Sequence, residues 1–160
     1  MSSSSLTIQL NLPQAELKLR KENDFQQVFD PIRKKWVALT PEERVRQTFI
    51  GWLIKDRNYP SGRFANEISL NLNGHRRRCD TVVYDASAKP IAIIEYKSPE
   101  VAITKHTFDQ IGRYNLVLST PFLIVSNGLT HYCCLITEKG YRFLNDIPSY
   151  EDLLKSVTSF

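Results

Sequence analysis

The chain has 160 residues, with 21 Lys and Arg against 17 Asp and Glu, a net charge of +4 and 42% hydrophobic residues. That describes one globular domain over residues 1–160, with a real core, and no apolar run approaches the about 20 residues of a membrane-spanning helix. The opening Met-Ser-Ser-Ser-Ser has no basic residues ahead of a hydrophobic stretch and is not a secretion signal, so a cytoplasmic protein without a membrane partner is expected. Cys79, Cys133 and Cys134 form no Cys-x-x-Cys pair, which argues against a disulfide framework or a zinc site and leaves them as small buried hydrophobes.

Residues 1–5 read as a disordered polar tail. Leu6, Ile8, Leu10 and Leu12 alternate and predict a short strand, and Ala15 to Arg20 predicts another. Val28-Phe29 and Trp36-Val37 flank Asp30-Pro31-Ile32-Arg33-Lys34-Lys35, the pattern of a hairpin turn. Thr40-Pro41-Glu42-Glu43 starts a helix, with Thr40 as N-cap, Pro41 in the first helical position and Glu43 completing a capping box. Val45, Phe49, Trp52 and Leu53 continue it at helical spacing toward Lys55.

Past the loop Tyr59-Pro60-Ser61-Gly62, Phe64 to Leu72 alternates, with Phe64, Asn66, Ile68, Leu70 and Leu72 on one side. Asn73-Gly74 turns the chain into Arg77 to Tyr84. The next strand, Ile91 to Lys97, opens with four apolar residues in a row, which predicts a central strand covered on both faces. Thr104 to Leu118 predicts a second helix and Pro121 to Val125 another buried strand. Ser126-Asn127-Gly128 leads into Thr130 to Thr137, Tyr141 to Leu144 adds a strand, and Ser149 caps a last short helix. The order predicts an α/β fold with a mixed sheet flanked by helices and a core over residues 40–137. The crossover from the Glu95 strand to the Phe122 strand should be a right-handed parallel unit.

Asp80 opens one apolar run and Glu95-Tyr96-Lys97 closes the next. Glu95 and Lys97, two apart on a strand, point to one face and Tyr96 to the other. Asp80 begins the antiparallel neighbour, close to Glu95. Two carboxylates, the Tyr96 main-chain carbonyl and waters suit Mg²⁺, a hard cation that wants oxygen ligands. Such an ion polarises a phosphoryl oxygen and lowers the pKa of a bound water, and Lys97 would neutralise charge as the phosphorus centre expands. The alternative is an ordinary cross-strand Glu–Lys pair. His75-Arg76-Arg77-Arg78 precedes Asp80, and Arg33-Lys34-Lys35 forms a second basic cluster. Beside a phosphate-cutting site the first reads as backbone contact to nucleic acid, and otherwise as a solvated turn. His75, His106 and His131 have no partner at metal-ligand spacing and read as surface or turn residues.

Several segments together resemble the N-terminal nuclease domain of type I restriction enzyme R subunits (HsdR-like), within the PD-(D/E)xK, restriction endonuclease-like superfamily. They are Phe29 to Trp36, Leu39 to Gln47, Arg78 to Tyr84, Ile94 to Pro99, Gln110-Ile111-Gly112-Arg113-Tyr114-Asn115 and Ser126-Asn127-Gly128. Cys79 stands where the superfamily name has proline, a residue that shapes the backbone and is no ligand. The resemblance implies a restriction endonuclease-like core and Mg- (or Mn-) dependent cleavage of DNA. It makes Asp80 and Glu95 metal ligands and Lys97 the catalytic lysine. Glu43 matches the acid that the first core helix supplies, against the capping box as its whole role. Gln110 and Tyr114 match a Gln-x-x-x-Tyr motif that orients DNA and the site, against a core Tyr with a surface Gln. Arg113 and Asn115 lie beside them, and Gln47 follows Glu43 by one turn. With Arg76, Arg77 and Arg78, the residues Gln110, Arg113 and Tyr114 form the expected DNA contact. No G-x-x-x-x-G-K-[ST] phosphate loop occurs, so motor or specificity subunits are the expected partners, with a homodimer suited to cutting both strands. A catalytically silent DNA-binding or complex-forming module is the alternative.

Overall fold

The computed structural model describes residues 4–158. Of the predicted tail, residues 1–3 lie outside the described residues, and Ser4 opens a short helical turn, α1 (Ser4–Thr7). The strand expected from Leu6 to Leu12 does not form. Leu10 is buried against Gly128 instead, and the Asn11 N–H donates to the Gly128 carbonyl at 2.8 Å. The apolar spacing there pins a connecting segment to the core. Three antiparallel strands follow, β1 (Leu19–Glu22), β2 (Phe25–Asp30) and β3 (Lys35–Ala38). The predicted turn between β2 and β3 is present, closed by the Lys34 N–H on the Asp30 carbonyl at 2.7 Å.

Helix α2 (Pro41–Asp56) begins at the Thr40-Pro41 signal, and Thr40 Oγ1 accepts from the Glu43 N–H at 3.0 Å. The return half of the capping box is absent. The Thr40 N–H goes to the Ala38 carbonyl at 3.1 Å, while the Glu43 carboxylate turns to Arg33, Arg46 and Gln47. Val45, Phe49 and Leu53 are wholly buried against one face of the central sheet, each contributing about 1.5–3 kcal/mol by that burial.

The central sheet runs in the order β4 (Phe64–Leu72), β5 (His75–Tyr84), β6 (Pro90–Tyr96), β7 (Phe122–Ser126), β8 (His131–Thr137) and β9 (Gly140–Leu144). Only β6 and β7 are parallel, and α3 (Lys105–Leu118) connects them, as the crossover expectation requires. Along β6, Ala92, Ile94 and Tyr96 pack toward α2, and Ile93 packs toward Phe108 and Ile111 of α3. A last helix, α4 (Tyr150–Thr158), adds Leu153 to the α2 side. The result is an α/β fold with a mixed sheet between helices.

The alternation expected along β4 is interrupted. Phe64 packs with the α2 side, but Ile68 and Leu70 pack with the α3 side. Glu67, between them, has a left-handed φ of 59°, and the β4–β5 ladder skips the Glu67–Asp80 position without changing register. On β5 the same break lets Cys79 and Val82 share the α3 side, which strict alternation forbids. Beyond it, the β4–β5 arm turns His75 and Arg77 toward α3, lining one cleft with Gln110 and Tyr114. Arg76 and Arg78 point the other way, opposite Asn71 and Ser69.

The two sheets are locked by buried polar groups. Asp30 is fully buried and accepts from Arg33, from the Ile32 N–H at 2.8 Å and from Asn66 Nδ2 at 3.0 Å. Asn66 Oδ1 in turn accepts from the Thr81 hydroxyl at 2.7 Å. Burial alone would raise the Asp30 pKa, but these hydrogen bonds hold it below its ordinary value. Its folded pKa being depressed, its contribution is complete above the usual carboxylate range and is lost as pH falls through the folded value. Asp30→Ala takes the acceptor from Arg33 Nε, the Ile32 N–H and Asn66 Nδ2, leaving Arg33 with Glu43 alone, and is expected to cost about 3–5 kcal/mol in urea denaturation at pH 7. A cost under 1 kcal/mol would mean that the pair is not the lock.

Candidate active site

The register that aligns Thr81 with Ile94 sets Asp80 beside Glu95. Asp80 Oδ2 accepts the Tyr96 N–H at 2.9 Å, which ties its carboxylate to the end of β6. Lys97, just past β6, has its N–H on the Ser126 carbonyl at 2.9 Å, and its Nζ lies 3.8 Å from Glu95 Oε1. The expected division of faces holds: Glu95 and Lys97 open to a cleft on the α3 side, while Tyr96 is buried on the α2 side.

That cleft has a volume of about 740 Å³. Besides Glu95 and Lys97 it is lined by Gln110, Arg113 and Tyr114 of α3 and by His75 and Arg77 of the β4–β5 arm. The helix and the arm thus form its walls and the end of β6 its floor. Asp80 is not part of the lining and meets Glu95 from the neighbouring strand. Arg76 lines a separate hollow with Ser69 and Asn71, and Arg78 is an exposed side chain 3.8 Å from Glu67. The basic run is therefore split between two faces.

The electrostatics are those of two acids forced together. Burial, then the adjacent Asp80 carboxyl, push Glu95 up to about 9, against the opposing pull of Lys97. Burial also raises Asp80, opposed by the Tyr96 N–H and by Arg46. Glu95 Oε2 is buried and has no hydrogen-bond donor. Burial first, then the charges of Glu95 and Asp80, raise the Tyr114 phenol, which lines the same cleft as Glu95. An orphaned carboxylate oxygen beside a second buried carboxyl is a donor set that fits a hard divalent cation. Among the described residues no three His, Cys, Asp or Glu side chains form a ready cluster, so further oxygens would come from main-chain carbonyl, such as that of Tyr96, or water.

Glu43 is not brought to this pair. Its carboxylate is taken by Arg33 at 2.6 Å, Arg46 at 3.0 Å and Gln47 Nε2 at 3.1 Å. Gln47 lies in that network and does not line the cleft. The α2 acid whose charge raises both Asp80 and Glu95 is its exposed neighbour Glu42, which spacing alone did not single out. Asn115 is structural: its side chain closes the end of α3 on Thr120, accepting from the Thr120 N–H at 2.5 Å. His131 is half-buried at the start of β8 and is held on both ring nitrogens. Its Nε2 lies 2.9 Å from the Asn11 carbonyl, so that nitrogen carries the proton, and Nδ1 faces the Ser126 hydroxyl at 2.7 Å. Burial lowers its pKa, in keeping with a neutral ring. The three cysteines are buried thiols whose pKa values burial raises. No described helix is long and apolar enough to cross a membrane.

Comparison with known proteins gives the family and the fold. Residues 41–148 match the model of the type I restriction enzyme R protein N terminus (HSDR_N). A fragment structure described as an HsdR subunit of a type I restriction enzyme from Vibrio vulnificus YJ016 superposes with a TM-score of 0.60 at 17% identity. The match covers 77% of this chain and 26% of that one, so the chain spans about a quarter of that relative's length. A weaker likeness, TM-score 0.43 at 18% identity over 76% of this chain and 12% of the other, is to DrdV in a complex with DNA. No curated protein matches. A family match over two-thirds of the sequence, with the same fold in an HsdR fragment, establishes that this chain belongs to the family of type I restriction enzyme R protein N termini.

Proposed function

We propose that the cleft is the active site of a divalent-cation-dependent DNA endonuclease, with Mg²⁺ or Mn²⁺ as the cation. The observation that carries this reading is the half-buried Asp80–Glu95 pair, with one buried Glu95 oxygen orphaned, at the floor of a cleft that also presents Lys97, Arg77 and Arg113. Asp80 and Glu95 would hold the cation, while the Glu43 carboxylate stays with Arg33, Arg46 and Gln47. When bound, such an ion polarises a phosphoryl oxygen and lowers the pKa of a bound water. Lys97 stands beside the pair with an ammonium free to donate to the attacking water and to balance charge on the phosphoryl oxygens. Gln110 and Tyr114, four apart on one helical face, would orient the scissile strand. As a type I R protein domain, the chain would work beside motor and specificity subunits, and as two copies where both strands are cut.

Nicking of supercoiled plasmid by the native protein with Mg²⁺ or Mn²⁺, set against Asp80→Asn, tests the reading. Cleavage that a chelator stops and that Asp80→Asn lacks is the expected result. DNA retained without cleavage by either protein would leave a binding module instead, and preference for RNA in competition would change the substrate. The DNA contact has its own signature. Arg77→Ala and Arg113→Ala should each reduce the slope of log affinity against log salt by about 0.9 for duplex DNA. An unchanged slope for both would take these arginines out of the interface.

A further inference from the structure

Arg46 of α2 is 7% exposed and reaches three strands of the central sheet at once. Nη1 donates to the Asp80 main-chain carbonyl at 2.7 Å, and Nη2 donates to Glu67 Oε1 at 2.5 Å. Nε lies 3.0 Å from Glu43 Oε2, as an ion pair whose angle makes no hydrogen bond. The guanidinium also sits over the Tyr96 ring, 5.6 Å from its centroid. Two of these contacts fall on Glu67 and Asp80, the position where the β4–β5 ladder lapses. The third strand is reached at Tyr96, whose N–H holds the Asp80 carboxylate and whose neighbour is Glu95. One planar cation therefore fills in for the missing ladder contacts and fixes the Asp80 main chain against the end of β6.

We propose that Arg46 is a positioning residue for the acid pair, clamping Glu67 and the Asp80 carbonyl so that the Asp80 and Glu95 carboxylates converge on one cation. This rests on the reading of that pair as the cation site. Only arginine has the fork for the task, because a lysine ammonium of equal charge cannot span the Asp80 carbonyl and the Glu67 carboxylate in fixed planar geometry. Arg33 supplies the control. It belongs to the same buried network, through Asp30 and Glu43, and its contacts there are not to Asp80, Glu67 or Tyr96.

Arg46→Lys and Arg33→Lys are compared in three measurements: urea stability, Mn²⁺ affinity by electron paramagnetic resonance, and exchange of the Tyr96 amide hydrogen in metal-free protein. Arg46→Lys should bind Mn²⁺ about 10–100-fold more weakly, the range seen when an outer partner of a metal ligand is lost. Its Tyr96 amide should exchange faster than its stability loss accounts for. Arg33→Lys should lose stability while keeping wild-type Mn²⁺ affinity and Tyr96 protection. Native-like Mn²⁺ affinity in Arg46→Lys, or parallel losses in both variants, would overturn the proposal and leave Arg46 a purely structural residue. Should Arg46→Lys fail to fold, Glu67→Gln carries the test, with the same signs expected at smaller size. If native protein bound no Mn²⁺ that Glu95→Gln removes, the cation reading itself would fall, and the Tyr96 amide would still decide whether Arg46 positions Asp80.

Discussion

Glu95→Gln is expected to weaken Mn²⁺ binding at the proposed cation site and, with no cation present, to make the protein more stable. The two effects share one cause. Glu95 is half-buried beside Asp80 with one oxygen lacking a donor, and its pKa is pushed up to about 9. The unfolded chain ionises this group at its ordinary value, near 4.5. Between those limits the native state binds the extra proton, so metal-free stability falls as pH rises, by up to about 1.4 kcal/mol per pH unit. Glutamine keeps the shape and removes the titration. Melting curves of metal-free native and Glu95→Gln protein should therefore diverge from pH 5 toward pH 9, the variant being the more stable. Mn²⁺ affinity should fall by more than the ~10–100-fold that follows loss of an outer partner, since here a ligand is lost. The native protein should also release a proton on binding Mn²⁺ near pH 8. A variant that melts lower than native at every pH, or binds Mn²⁺ as well, would mean that the pair is not a cation site.

Lys97→Ala separates catalysis from binding. Nζ lies 3.8 Å from Glu95 Oε1, and a quarter of the side chain is exposed. A screened pair of this kind contributes at most about 1 kcal/mol to stability, so the variant should fold normally. Its expected defect is kinetic: cleavage slower by about 10²–10³-fold, the size of losing one donor to developing charge. Mn²⁺ affinity should hold or improve, because a positive charge leaves the neighbourhood of the acids. Metal-free affinity for duplex DNA should change by less than the loss from Arg77→Ala. Cleavage at the native rate would remove Lys97 from the chemistry, and equal losses in binding and cleavage would make it a DNA contact. Lys97→Arg is no rescue in this scheme, since the broad fork cannot take the place of a compact ammonium.

The parts of the site that sequence made legible are those with local periodicity. The Glu95-x-Lys97 spacing places both side chains on one face wherever the segment is a strand, and the apolar Ile91–Ile94 run requires one buried on both sides. Gln110 and Tyr114 share a helical face by the same kind of arithmetic. What was hidden depends on partners remote in sequence. Glu43 has the spacing of a capping box, but two arginines outbid the Thr40 N–H for its carboxylate, one of them on the β2–β3 turn. The Leu6–Leu12 alternation misled because apolar residues that anchor a loop recur as readily as those of a strand. His131 lay hidden for a related reason, as one of its two partners, Asn11, is 120 residues away in the chain. Arg46 offers no motif, and its importance lies wholly in what surrounds it.

The lapse in pleating at Glu67 acts as a selector between two sets of arginines. Were Glu67 to relax into ordinary strand torsions, the core strands would keep their register, but the whole β4–β5 arm would turn over. Arg76 and Arg78 would then line the cleft, and His75 and Arg77 would face away. A relative could thus keep every residue of the arm and present a different surface to its substrate, through the backbone break that β4 and β5 share at this position. Conversely, two relatives that place arginines one position apart on this arm can be equivalent if only one of them has the break. Alignment of the arm across such chains has to follow backbone phase at this position, because residue identity alone would pair arginines that point in opposite directions.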